Sequence, residues 1–209
     1  MYRFIARKHV DEFFADGTLQ LSCFKKFHQH EDEQRLDKQE GAPRVWHHFR
    51  RSTGEMEQIT AQLDFGRNAY VLCGGTIDTQ EAAAQFQAES CIAIQDTTSF
   101  ARAVAQQLSG FVEGLEGPCI YGSWFRRDLG EIPLEMLTDT PENRIRRSRY
   151  LDAAVSYCPY FVKHVSFAPQ HEYRLVWLMD RGIDEPLIVK VPGAIRFCQR
   201  NLEHRWSAP

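Results

Sequence analysis

Polar and apolar positions at the start of the chain follow a strand period, then a helical period, then a strand period again. Tyr2–Ile5 is a short strand-like run, and Val10 and Phe13 lie at helical spacing on one face. Gly17 stands where a left-handed residue would end that helix. Residues 19–24 resume the strand pattern. The opening therefore predicts a strand, a short helix and a second strand.

Short apolar runs bounded by turn residues predict further strands along the rest of the chain. These runs lie at residues 70–73, 91–94, 119–121, 160–166, 173–179 and 187–191. A helix capped by Thr98 is predicted from apolar residues that share one helical face, namely Phe100, Val104 and Leu108. Thr140 followed by Pro141 predicts another helix, running to about residue 157. Two shorter helices are expected, one from Asp78 through residue 87 and one after Ala194.

Strands outnumber helices in this pattern, and strand–helix–strand units do not repeat regularly. The fold class predicted is therefore α+β, with mixed or antiparallel sheets and flanking helices, in a single domain spanning residues 1–209. Residues 25–58 interrupt the pattern because they are dense in charged and polar side chains and contain few apolar anchors. We expect this stretch to form a long, exposed, partly mobile excursion that includes a helical piece.

Composition narrows the class of protein further. Of the 209 residues, 43% are hydrophobic and 12% aromatic, which is enough to build a sizeable core, and the net charge is -3. That charge gives no general attraction to nucleic acid or to an anionic membrane. The chain has no apolar run near the ~20 residues of a membrane helix and no secretory pattern at its start. Its six cysteines lie mostly inside apolar runs, which indicates reduced thiols in a cytoplasmic protein.

One polar set near the end of the chain is the strongest candidate for chemistry. Strand alternation would place Gln170, Glu172 and Arg174 on one face, opposite Tyr173 and Trp177. A carboxylate on such an apolar strand is costly to bury unless it is paired or used. Two interpretations stay open at this point. Glu172 either forms a structural ion pair with an arginine or acts as a catalytic group.

The opening segment resembles the start of ADP-ribosyltransferase-fold proteins. The similarity lies in Tyr2–Ile5, in the short helix ending at Gly17, and in the run from Leu19 to Ser22. The resemblance implies that Arg3 binds NAD, and that Ser22, Tyr70 or Tyr121 contacts the nicotinamide. It also implies that Glu172 stabilises the positive charge that develops at the ribose. Gln170 would then assist the acceptor, as the earlier residue of a Gln-x-Glu pair.

The chain also resembles a large bacterial family of uncharacterised proteins over nearly its whole length. Members open with Tyr-(Arg/Lys)-(Tyr/Phe) and close with Glu-(Tyr/Trp)-Arg before an apolar strand. The matching segments here are Tyr2-Arg3-Phe4, Leu21-Ser22, the run from Arg35 to Gly41, and Glu172-Tyr173-Arg174. This resemblance supports the fold more than any particular chemistry.

These observations lead to two functional hypotheses. The first is an enzyme that cleaves NAD and transfers ADP-ribose to a protein or nucleic acid. Such an enzyme would be a toxin or phage-defence effector, with an antitoxin or other partner protein. The second is a non-catalytic module that recognises a protein or nucleic-acid partner through the charged excursion and the arginines of residues 144–149. No metal is expected, because the histidines and acids of residues 28–33 match no zinc spacing.

Overall fold

A computed structural model of the chain describes residues 1–27, 44–62, 65–79, 83–84, 88, 90–122, 126–156 and 158–201. The α+β class with largely antiparallel sheets is confirmed. The strands are β1 Tyr2–Ile5, β2 Thr18–Cys23, β3 Arg44–Arg50, β4 Met56–Gln62, β5 Ala69–Gly75, β6 Ser90–Ile94, β7 Phe111–Pro118, β8 Ile120–Gly122, β9 Arg126–Glu131, β10 Val162–His164, β11 Glu172–Met179, β12 Leu187–Lys190 and β13 Cys198–Asn201. The α-helices are α1 Arg7–Asp16, α2 Phe24–Phe27, α3 Thr97–Ala105 and α4 Pro141–Val155. Short 3-10 helices lie at Leu134–Leu137, Cys158–Tyr160, Val165–Gln170 and Pro192–Phe197.

The main sheet is antiparallel and is organised around β5. One edge of β5 pairs with β11, and β7 pairs with the far side of β11. The other edge of β5 is divided between two branches. Its beginning pairs with β2, which continues to β12, and its end pairs with β1, which continues to β6 and β13. On this edge of β5 the sheet therefore continues as two separate branches, β2 with β12 and β1 with β6 and β13.

Helices α1 and α3 cover one face of this sheet, which we call the helical face. Val10 and Phe13 of α1 are buried there, in the same core cluster as Phe100 and Val104 of α3. Gly17 ends α1 in the left-handed conformation, with φ of +80°, as the sequence predicted. Both helices could be predicted because the spacing of their apolar residues, and the glycine that ends α1, are local features of the sequence.

The opposite face of the sheet carries a smaller core. Phe24, Tyr160, Val71 and Val176 are buried together there. Strand β11 is consequently covered on both faces, since its neighbouring residue Leu175 belongs to the helical-face cluster. A strand buried on both faces cannot send a polar side chain to water by alternation alone, so Glu172 and Arg174 must be neutralised inside the protein.

Within residues 25–58, the segment expected to form an excursion, the described residues include strand β3 and the start of β4. Strands β3 and β4 pair as an antiparallel hairpin, and β9 pairs with β3 in parallel. Residues 28–43 lie outside the described part of the chain, together with the histidines and acids of residues 28–33. The helix described at the start of this stretch is the single turn of α2.

Other departures concern element type and boundaries. Strand β7 was not predicted, because its glycines and glutamates hide the strand pattern. Residues 160–166 form only the short β10 between two 3-10 helices, and Asp96 rather than Thr98 caps α3 by accepting from the Ser99 N–H. The helix from Asp78 lies largely outside the described residues. In the part of the chain described, no helix is both long and apolar enough to cross a membrane.

Candidate functional site

Glu172 begins β11 at the centre of a buried ion cluster. Its side chain is 2% exposed, its Oε2 lies 2.5 Å from the Lys163 Nζ, and its Oε1 accepts from the Arg174 Nε at 2.6 Å. The Lys163 ammonium also donates to the Gln170 Oε1 at 2.9 Å. The Arg174 Nη1 donates to the Tyr160 carbonyl at 2.7 Å. Both carboxylate oxygens are therefore engaged by cations inside the protein.

The electrostatics of this cluster hold Glu172 in its charged form. Burial alone would raise the pKa of the carboxyl. The positive charges of Arg174 and Lys163, with their hydrogen bonds, outweigh that effect and hold the pKa well below its ordinary value. The Glu172 carboxylate is thus charged at neutral pH and paired with two cations, as in a buried ion pair.

Arg3 does not converge with Glu172. Glu172 and Tyr2 both pair with Gly75, and side chains paired directly across strands point to the same face. Arg3 follows Tyr2 in the strand and pairs with Ile92, which belongs to the helical-face core. Arg3 and Glu172 therefore lie on opposite faces of the sheet. The expected convergence of the two around one nucleotide is not found in this structure.

The other residues assigned to nucleotide binding are dispersed, with one exception. Tyr70 is buried in the helical-face core, and Ser22 on β2 pairs with Val71, well along the sheet from Glu172. Tyr121 is the exception, because its hydroxyl oxygen accepts from the Glu172 backbone N–H at 2.6 Å. Burial raises the pKa of Tyr121 to about 12. The structure thus gathers Gln170, Tyr121 and Glu172, and leaves Arg3, Ser22 and Tyr70 elsewhere.

A second site, which sequence reasoning missed, is an open cavity of about 330 Å³ between α4 and the sheet formed by β4, β3 and β9. Its walls are mostly apolar. They are formed by Ile59, Ile132, Met136, Leu137, Tyr150 and Leu151. A concave, mainly apolar cavity of this size with a few polar groups is typical of a ligand site. We call it the α4 cavity.

One polar group in the wall of the α4 cavity is a buried histidine. His47 on β3 is 5% exposed, and its ring lies 5.4 Å from the ring of Tyr150 on α4. Burial lowers the pKa of His47, so the imidazole is neutral at pH 7. Its Nδ1 has no hydrogen-bond partner among the described residues. His48 points the other way and pairs with Asp128 at 2.9 Å.

Arg147 of α4 brings a cation to the same cavity. Its Nη1 donates to the carbonyl oxygens of Met136 at 2.6 Å and Thr138 at 3.4 Å. Asp139 accepts from both the Nε and the Nη2 of Arg144, at 2.6 and 2.5 Å. The Nη2 of Arg147 is left 3.7 Å from the Asp139 Oδ1, which is longer than a hydrogen bond.

The sequence carried one weak signal for this site. The buried Val45 and His47 alternate with the half-buried Trp46 and His48, as in a half-buried strand, but the charged residues around them obscured the pattern. The cavity itself joins residues far apart in the chain, such as Ile59 and Leu151, and only the tertiary fold brings them together.

Metal binding has no support in the part of the chain that the structure describes. No group of three or more histidine, cysteine, aspartate or glutamate side chains is arranged there to hold an ion. Comparisons of the chain with protein-family models, with curated proteins and with solved structures found no match.

Proposed function

We propose that this chain is a binding module and that the α4 cavity is its binding site. The observation that carries the proposal is the open cavity of about 330 Å³, which combines apolar walls with the half-buried cation of Arg147. Water in such a cavity contacts mainly apolar surface, so its replacement by an apolar group is favourable. The site is therefore suited to binding without chemistry.

The state of Glu172 supports a binding module over a transferase. A carboxylate that stabilises a developing charge on the ribose must lie within contact distance of the ligand. Glu172 is 2% exposed, and both its oxygens are held by Lys163 and Arg174. Opening the cluster to admit NAD would leave two buried cations without their partner, which is costly.

The rim of the α4 cavity gives further support. Two apolar side chains that line the cavity are exposed, Ile59 on β4 at 43% and Tyr150 on α4 at 40%. Large apolar side chains near a cavity are typical of surfaces that are covered when a ligand or partner is bound. Recognition of a protein or nucleic acid by the exposed arginines of α4, such as Arg146 and Arg149, stays a separate prediction.

Filling the α4 cavity is expected to abolish ligand uptake. The Ile59→Trp variant should bind the neutral dye N-phenyl-1-naphthylamine at least about tenfold more weakly than the unchanged chain, a loss of ~1.4 kcal/mol. The larger ring would occupy the space that Ile59 now borders. The measurement is a fluorescence titration at neutral pH.

Met56→Trp is the matched control for this substitution. Met56 lies on the same strand, with an exposed fraction of 46% against 43% for Ile59, but three residues away and so on the other face of β4. It should leave dye binding unchanged. Equal binding by the Ile59→Trp variant and the unchanged chain, with both variants folded by circular dichroism, would overturn the proposed site.

NAD cleavage and the ADP-ribosyltransferase-like fold remain predictions of the resemblance, and the activity has its own test. A binding module should release no nicotinamide when the purified chain is incubated with labelled NAD and candidate protein or nucleic-acid acceptors. Release above background would favour the transferase if it were lost in both Glu172→Gln and Tyr121→Phe variants that keep native circular dichroism. Tyr121→Phe removes the acceptor of the Glu172 N–H and leaves the three charged side chains of the ion cluster in place.

A further inference from the structure

The charges at the α4 cavity are unevenly balanced. Among the described residues that line it, Asp139 is the one carboxylate and Arg147 the one guanidinium or ammonium group. The carboxylate of Asp139 forms a bidentate salt bridge with Arg144, in which each carboxylate oxygen accepts one hydrogen bond. Arg147 contributes only the looser contact of 3.7 Å. The wall of the cavity therefore has a cation that its nearest acid neutralises incompletely.

The geometry of Arg147 suits it to receive an anion. Its Nη1 is anchored by the carbonyl oxygens of Met136 and Thr138, so the guanidinium is held in place before any ligand arrives. The side chain is 28% exposed, so water screens its charge less than that of a fully exposed arginine. A guanidinium that is both oriented and partly desolvated binds a carboxylate strongly.

The remaining polar groups of the wall do not favour a positively charged ligand. His47 is neutral at pH 7 because burial lowers its pKa. Thr60 offers only a hydroxyl group. Apart from these two residues, Arg147 and Asp139, the described lining is apolar, and Arg147 is its one cation, which suits a ligand with a single charged end.

We infer that the α4 cavity binds a small monocarboxylic acid, with its apolar body against Ile132 and Leu151 and its carboxylate on the Nη2 of Arg147. This inference rests on the proposed function and names the ligand class for the same site. The volume of about 330 Å³ accommodates one such molecule. Asp139 lies near the carboxylate, but its charge is offset by Arg144.

A series of ligands that differ only in the head group tests the inference. Octanoate, 1-octanol and octylamine share one apolar chain and carry a negative, a neutral and a positive head. Isothermal titration at neutral pH should give octanoate about tenfold tighter binding than 1-octanol, as expected for a charge-assisted hydrogen bond. Octylamine should bind most weakly, because its head would face Arg147.

The Arg147→Met variant separates the charge from the cavity. It should weaken octanoate binding about tenfold and leave 1-octanol binding unchanged. Arg149→Met, on the same helix but outside the cavity wall, is the matched control and should change neither. Should Arg147→Met fail to fold, the head-group series with the unchanged chain decides alone.

The outcomes distinguish the cavity as a binding site from the carboxylate as its ligand. Octanoate binding no tighter than 1-octanol, while Ile59→Trp still abolishes the binding of both, would overturn the carboxylate and keep the cavity as a binding site. No binding of any member of the series, together with no binding of the neutral dye, would overturn the proposed function itself.

Discussion

Replacing Glu172 with glutamine is expected to lower the free energy of unfolding by about 3–5 kcal/mol, the usual cost of breaking a buried ion pair from one side. The substitution keeps the size of the side chain and removes its charge. Lys163 and Arg174, with exposed fractions of 8% and 0%, would then share a buried site with no anion between them. Urea unfolding followed by circular dichroism measures the loss.

Glu131→Gln is the matched control for this change. Glu131 faces Arg50 at 3.8 Å with more than half of each side chain exposed, so its removal should change the free energy of unfolding little. A double variant provides a second check. Adding Lys163→Met to Glu172→Gln removes one of the stranded cations, so the combined loss should be smaller than the sum of the two separate losses. Additive losses would contradict the cluster.

The pH dependence of stability should identify the same carboxylate. The folded state holds the pKa of Glu172 below its ordinary value of 4.5, so the cluster contributes fully above that pH. The contribution decreases as the pH falls below 4.5, because the unfolded chain then takes up a proton that the folded chain does not. The difference in unfolding free energy between the unchanged chain and the Glu172→Gln variant should therefore shrink in acid. A constant difference from pH 7 to pH 3 would contradict this assignment.

The two interpretations of Glu172 show what the sequence could and could not decide. The pattern correctly singled out Glu172 and Arg174 as an acid and a base on an apolar strand, and the structure pairs them at 2.6 Å. It could not identify Lys163, because nothing in the local sequence links that residue to Glu172. Local sequence left pairing and catalysis open, because Lys163 meets Glu172 only in the tertiary fold.

The face of the sheet on which Arg3 lies depends on strand register, which the sequence does not give. Its strand was predicted correctly as Tyr2–Ile5, and alternation within that strand is fixed by the pleat. Whether its odd or even residues share a face with Glu172 depends on how β1 pairs with β5. A shift of one residue in that pairing reverses the answer, and no local pattern specifies it. The α4 cavity could not be predicted either, because its walls come from a hairpin and a helix that only the tertiary fold brings together.

Gly17 is a position where the sequence prediction held and the structure adds a stronger constraint. Its φ of +80° was expected from a glycine that ends a helix. In addition, a Cβ at this position would lie 2.4 Å from the backbone atoms Pro192 N and Val191 C. The Val191 N–H donates to the Gly17 carbonyl at 2.9 Å, so the two segments are held together. Glycine is thus required both for its conformation and for this close approach.

The Gly17→Ala variant is therefore expected to lose about 3 kcal/mol or more of unfolding free energy, from the left-handed backbone and from overpacking together. Gly54→Ala isolates the first effect, because Gly54 has a φ of +88° and nothing within 4 Å of its Cβ position. That control should lose only about 1 kcal/mol. Urea unfolding of both variants gives the two values. Equal losses would mean that residues 191–192 move away from the added methyl group at little cost. The contact between the end of α1 and the Pro192–Phe197 helix would then not hold the edge of the helical-face core in position.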